Sequence, residues 1–457
     1  MSSPPSPSIA YQTTISDEPI SMMVEKTAGS PPATATTTAA AAVTTMQTAS
    51  RERWNHPRSN VFRVTASFWS LLNLGIFDAA YGAMLPYLQS FYGINYTAVS
   101  LVFLSPLIGY VFSGILNTRL HNTLGQRGLG VLCGGAHLLS AIINVLHPPF
   151  PVLVVSFMLG GLGNGLSDAA WNAWIGNLDR SNELLGFLHA AYGLGGLVSP
   201  LIATAIITRA KLPWYTFYYV VIGVSVVEIL ALTTAFRNHT GRRYRELMAC
   251  SPGAHESSAS IRSVLTTQPE ARIAWLSALF VLIYIGVEVS LGGWVVEFLL
   301  RIRNGDDFAS GMGATGYWLG ITLGRILLPF VTNIIGLRMA VAAYLAMAMV
   351  MELIFWLVPH FYASIIAVGV QGFFIGPMFP HAVSAITSLL PQHLHVVVIG
   401  FVAALGGCGA SLLPFALGAL AQRFSVTALQ PFVLTCLGVS LVIWLFIPHA
   451  KKRRCSR

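Results

Sequence analysis

Charge is scarce in this sequence. Only 9% of its 457 residues are Asp, Glu, Lys or Arg, where a soluble domain carries about 25%. That shortage excludes a chain that meets water over most of its surface. Cysteine is rare as well: Cys133, Cys250, Cys408, Cys436 and Cys455 are scattered, with no CxxC pair and no ligand spacing. A disulfide framework and a zinc site are thereby disfavoured, leaving small packing residues or cytosolic thiols. No nucleophile–base set or metal cluster stands out, so neither an enzyme nor a cofactor is expected. The N-terminal stretch lacks the basic start and apolar core of a secretory signal, which leaves targeting to the first membrane helix. Apolar residues, by contrast, make up 54% of the chain. They recur in runs of about 20, the length that crosses a bilayer as a helix, without the alternation of a transmembrane barrel. The expected class is an all-α membrane protein. The net charge of +9 gathers in short loops between these runs, a signature of membrane topology rather than of nucleic-acid binding.

Residues 1–50 are rich in Ser, Thr, Pro and Ala and hold no apolar run; such a segment is expected to be a disordered cytoplasmic tail. Twelve spans follow: six at about 65–89, 97–117, 129–147, 151–176, 184–208 and 214–236, and six at about 271–299, 310–333, 338–358, 361–389, 395–421 and 427–448. Two six-helix units, 51–236 and 269–448, are thus joined by a charged linker, 237–268, and closed by a basic tail, 449–457. With a cytoplasmic N-terminus, most Lys and Arg lie inside and only Arg209, Lys211, Arg301, Arg303 and Arg423 lie outside. The positive-inside rule therefore places both termini in the cytosol, with the plasma or vacuolar membrane as the expected site.

The two units read as copies. An offset of 211 carries Gly75, Gly82, Gly109, Gly125, Arg127, Gly161 and Gly165 onto Gly286, Gly293, Gly320, Gly336, Arg338, Gly372 and Gly376. An offset of 214 then carries Gly193, Gly195 and Pro200 onto Gly407, Gly409 and Pro414. Parallel repeats of this kind characterise transporters whose substrate site lies at mid-membrane between the halves.

The acids break that symmetry. Asp78 maps onto Val289 and Asp168 onto Phe379. In Pro151–Gly176, positions 161, 165, 168 and 172 form one stripe, with Asn164 beside it. A charge at bilayer depth costs at least about 2.5 kcal/mol, so Asp168 must face other helices or a wet cavity. Asp78 sits between Gly75 and Gly82 in the same arrangement. Since leaving water favours a carboxyl's neutral form, the two acids are candidates to share or relay a proton; the competing reading for each is a structural hydrogen bond. Tyr284, Glu288, Trp294, Tyr317, Trp318 and Gln371 in the second half, with Asn164, Asn172, His189 and Tyr192 in the first, offer the aromatics and amides that suit a polar ligand with an apolar face, such as a sugar. Trp294 fits an interfacial belt equally well. At the cytosolic edge, Arg119, Gly125 and Arg127 form a candidate gate expected to pair with Asp179 or Glu183. Arg325 and Arg338 are its candidates in the second half.

The stretches GIFDAAYGAMLPYLQSFYGI, GLGNGLSDAAWNAW, LHAAYGLGGLVSP, VEVSLGGW and GYWLGITLGR resemble the major facilitator superfamily over about 60–448. Within it they are similar to the fucose–galactose–proton symporter-like group and its fungal bypass-of-stop-codon-like members. The resemblance implies a fold of twelve helices in two pseudo-symmetric halves. In the bacterial fucose permease, acids in helices one and four serve protonation and sugar binding. Asp78 occupies the first position; Asp168, four residues before Asn172, stands where the permease has a Glu four before an Asn. Two departures are visible. The superfamily's loop motif has Asp three residues before its second Gly, where this chain has Asn122, and Ser199 precedes Pro200 where drug–proton antiporters have Gly. The leading reading is a monomeric, proton-coupled symporter of a sugar or other small polar solute. Its alternatives are an exporter of organic compounds by proton antiport and a non-transporting nutrient sensor.

Overall fold

The computed structural model describes residues 52–249, 265–391 and 394–448; the expected tails 1–50 and 449–457 and the middle of the linker lie outside them. Among the described residues eleven helices are long and apolar enough to cross a membrane, and one of these, Tyr96–Val145, has double length. It is two spans. At Gly125 the backbone turns to φ 67° and ψ −174°, a region that favours glycine. A straight helix would hold Pro106 and His137 about 46 Å apart. Yet Pro106 lies against Gly161 and His137 against Gly163, so the chain reverses at Gly125 and both segments pass the same level of the next helix.

The twelve spans are α1 (Ser59–Tyr92), α2 (101–124), α3 (126–145), α4 (Phe150–Gly176), α5 (Ser181–Thr204, prolonged by a π turn, Ala205–Arg209), α6 (Phe217–Ala235), α7 (Glu270–Arg301), α8 (Asp307–Ile335), α9 (Leu337–Leu357), α10 (Phe361–Ile375 and Met378–Leu389, broken at Gly376–Pro377), α11 (His395–Phe424) and α12 (Leu429–Phe446). Among the described residues the regular elements are helical. A further short helix, Gly241–Ala249, follows α6.

Inside the first half α1 packs on α5, α2 on α4 and α3 on α6; inside the second, α7 packs on α11, α8 on α10 and α9 on α12. The repeat holds at single contacts. Gly109 meets the Met158 carbonyl, and 211 residues on Gly320 meets that of Gly369; Gly161 meets the Pro106 carbonyl, and Gly372 that of Tyr317. The halves join through α1 with α7, α2 with α11, and α5 with α8.

Their tightest contacts lie toward the end of the bundle away from Ser59 and Phe446. A Cβ on Gly82 would stand 1.9 Å from the Gly292 carbonyl oxygen. Tyr96 donates its hydroxyl to Glu297 (3.0 Å) and its backbone N–H to Gln422 (2.9 Å). Arg209 lies 4.1 Å over the Phe308 ring.

Candidate functional site

Asp78 is at the middle of α1, deep between the halves but still partly exposed. Its Oδ1 accepts from Asn164 Nδ2 (2.8 Å) and its Oδ2 from the Tyr192 hydroxyl (3.4 Å). Tyr192, on α5, is the hinge of the site. Its ring lies 6.2 Å from that of Trp318 on α8, edge to face, and 5.6 Å below the Arg325 guanidinium. Arg325 in turn donates to Glu288 Oε1 (3.0 Å) and to the Gly376 carbonyl (3.1 Å). The Tyr284 hydroxyl donates to Glu288 Oε2, and Tyr317 donates to the Glu288 carbonyl (3.0 Å). An acid of the first half and an ion pair of the second are therefore joined through one tyrosine.

Asp168, partly exposed one turn beyond Asn164, accepts from Asn172 Nδ2 (2.7 Å). It makes no hydrogen bond with Asp78, so direct proton sharing between these two acids is not built into this conformation. His189, also partly exposed, faces Phe379 across the halves at 5.9 Å. Asp168, Asn172, His189 and Arg325 are all partly exposed, and the buried Trp318 Nε1 lacks a hydrogen-bond partner.

Two expected ligand residues are placed elsewhere. Trp294 is fully buried, donates Nε1 to the Pro414 carbonyl (3.1 Å) and wedges against Tyr96 and Phe103 where the halves close. It is neither a belt residue nor a lining one. Gln371 is fully buried inside the second half and donates to Glu352 (2.7 Å). The gate expectation also changes. Arg119, Arg127 and Arg338 are exposed, and their side chains make no ion pair among the described residues. Asp179 instead lies 3.9 Å from Arg53, and Glu183 lies 4.0 Å from Arg180. The loop around Gly125 is held through its backbone atoms: Arg127 N–H donates to the His239 carbonyl (3.1 Å), and the Arg245 guanidinium donates to the Asn122 carbonyl.

The sequence reading missed a buried chain behind Asp78. Asn164 Oδ1 faces His137 Nε2 (2.9 Å), and His137 Nδ1 faces Glu228 Oε2 (2.9 Å). Glu228 also accepts from Asn73 (2.6 Å) and from Ser70. A lone His and a lone Glu inside apolar spans were the available signal, because intramembrane ionisable groups are functional candidates by default.

Twelve passes, a duplicated helix-packing pattern and an acid-bearing site at the seam between the copies are now in view. The profile of the Major Facilitator Superfamily matches residues 67–302. The chain belongs to the major facilitator superfamily. It is 28% identical over 412 residues to bypass of stop codon protein 6 of Saccharomyces cerevisiae, covering 84% of this chain and 82% of that one. It is 21% identical over 355 residues to the glucose/mannose transporter GlcP of Bacillus subtilis, covering 76% and 84% respectively. The chain is therefore a multi-pass membrane transporter of this superfamily and not an enzyme.

Proposed function

We propose that this transporter is a proton-coupled symporter of a small polar solute with an apolar face, a sugar being the class that fits best. The observation that carries the reading is Tyr192, which ties the Asp78 carboxylate of one half to Trp318 and to the Arg325–Glu288 pair of the other. A solute seated there displaces contacts on both sides at once, so its occupancy and the protonation of Asp78 bias the same closure. Asp168, with Asn172, is the second coupling acid. Trp318, buried against Tyr192 in this conformation, is the ring a hydroxylated solute stacks on once it displaces that contact, and Asn172 and His189 offer hydrogen bonds. A glucose/mannose carrier among the relatives supports the solute class.

In this reading both termini lie in the cytosol, supported by the Lys and Arg of the short loops, and the membrane is the plasma or vacuolar one. With the halves closed at the far end, this conformation faces inward. The unit is a monomer: two halves, about 51–236 and 269–448, rocking about the seam and joined by the cytosolic linker. The deciding experiment is uptake of labelled monosaccharides into proteoliposomes. Accumulation under an inward proton gradient supports symport. Transport that requires the reversed gradient would instead show export by antiport, and binding without flux would show a sensor.

A further inference from the structure

The buried chain behind Asp78 has a definite polarity. Glu228 has Ser70, Asn73 and His137 at its two oxygens; Ser70 accepts from Trp171 Nε1 (3.0 Å), and of the two acceptors near its hydroxyl Glu228 is closer than Ser167 (3.2 Å). A carboxyl that collects donors on both oxygens is in its ionised, acceptor-only form. His137 Nδ1 lies 3.3 Å from Asn73 Nδ2 but nearer, 2.9 Å, to Glu228 Oε2, and beside an ionised carboxylate it is the nitrogen that donates. On the other side, Asn164 turns its Nδ2 to the Asp78 carboxylate, which leaves Oδ1 toward His137 Nε2. The orientation of that amide follows from its partners, and an amide oxygen demands a donor, so Nε2 also carries a hydrogen. A ring that donates at both nitrogens has the hydrogen-bond pattern of an imidazolium.

Its surroundings are shaped to keep it there. His137 and Glu228 have no solvent exposure. Phe77 stacks on the imidazole at 4.9 Å between centroids. Gly163 makes the space, since a Cβ there would lie 2.5 Å from His137 Cδ2. A buried ion pair is weak evidence for a stabilising device, and this one connects through a single amide to the acid that opens on the solute crevice. The other ionisable groups nearby are Cys133 on the same helix, within reach of Glu228, and Tyr110, Tyr192 and Asp168 around Asp78, with Arg325 beyond Tyr192.

The geometry points to His137, clamped as an imidazolium between Glu228 and Asn164, as a second residue of the proton-coupling site: a buried positive charge that sets the pH at which Asp78 takes up its proton. This rests on the proton-coupling reading. The Asp78–His137–Glu228 set carries a net charge of −1 while Asp78 is ionised. It becomes neutral when one proton from the crevice bonds to an Asp78 oxygen, and that proton leaves when Asp78 reionises toward the other side. His137 is a positioning residue in this scheme; it holds the amide and the field and need not touch the solute.

Two measurements test it. In protein labelled with 15N-histidine and reconstituted in nanodiscs, the His137 signals, assigned by their loss in His137→Gln, should show both ring nitrogens protonated at pH 7.5, and Glu228→Gln should convert them to the neutral pattern. In proteoliposomes, His137→Gln should move the alkaline limb of proton-driven uptake upward by about one pH unit, the low end of what a nearby opposite charge does. A neutral His137 in the wild-type spectrum, or a His137→Gln carrier whose uptake falls with an unmoved pH profile, would overturn the proposal while leaving the coupling role of Asp78 standing. If Asp78→Asn itself still accumulates solute under a proton gradient, the coupling reading fails and this proposal falls with it.

Discussion

Closing the far end of the bundle requires a glycine at position 82. The Cβ of any other residue would come within 1.9 Å of the Gly292 carbonyl oxygen, 3.0 Å of its carbon and 3.3 Å of Gly293 Cα. All three are backbone atoms of α7, which cannot rotate away as a side chain does, so α1 and α7 must separate by more than an ångström. Overpacking of this kind costs about 1–3 kcal/mol, a shift of roughly 5- to 150-fold in a two-state population. Gly82→Val should therefore populate a conformation parted at the far end, with Gly82→Ala showing the smaller part of the same effect. Ser100, buried there beneath Gly418, reports on it. In a Ser100→Cys background, labelling by a membrane-impermeant maleimide added outside intact cells should accelerate within that range when Gly82→Val is added, and uptake should fall correspondingly. Wild-type uptake with the cysteine still shielded would show that this contact does not govern the conformational equilibrium.

Other consequences are as direct. Arg325→Met strands Glu288 in a buried site with its charge partner gone. Removing one partner of such a pair costs about 3–5 kcal/mol, so the melting point should drop, and Arg325→Met/Glu288→Met should recover much of it while remaining inactive in transport. Gly125→Ala puts a side chain at φ 67° and within 2.5 Å of the His239 carbonyl oxygen. It should loosen the α2–α3 turn from residues 239–241, read as faster proteolysis after α6, with a cost of about 1–3 kcal/mol from the backbone conformation alone. A tag inserted between Arg303 and Asp307 should be reached by antibody outside intact cells, and tags at either terminus should not. The opposite pattern would invert the topology.

The helices and their duplication were legible because span length and glycine spacing are local properties. Asp78, Tyr192 and Glu288 stood out for the same reason: a charged or polar group inside an apolar run draws notice wherever the fold takes it. Arg325, expected at the gate, instead pairs with the buried Glu288. Which way a residue faces was harder to read. Trp294 is six residues beyond Glu288, about 240° further round α7, and so turns to the closing contact instead of the crevice. Gln371 is the repeat counterpart of Gly160, which faces Phe77 and Ser140 inside its own half; applying the 211-residue offset to it would have placed Gln371 in the interior. The His137–Glu228 pair spans 91 positions between α3 and α6, and no spacing rule joins residues that far apart. The Arg119 and Arg127 pairing failed for a physical reason too. With Asn122 in place of an acid, the loop is held through its backbone, Arg127 N–H to the His239 carbonyl and the Asn122 carbonyl to the Arg245 guanidinium, contacts that charge pairing between acids and bases does not reveal.

The central claim is that Asp78 ties proton movement to solute movement. One pH unit supplies about 1.4 kcal/mol and each 100 mV about 2.3 kcal/mol per charge, so one proton per neutral solute sustains accumulation of several hundredfold under both together. The measurement is the steady-state solute ratio in proteoliposomes, set beside solute counterflow in the absence of a gradient, for wild type and for Asp78→Asn and Asp168→Asn. The account predicts that both variants lose gradient-driven accumulation, their ratio falling to about one, while counterflow persists in at least one of them. Accumulation at the wild-type level in both variants would contradict it and return these acids to a structural role.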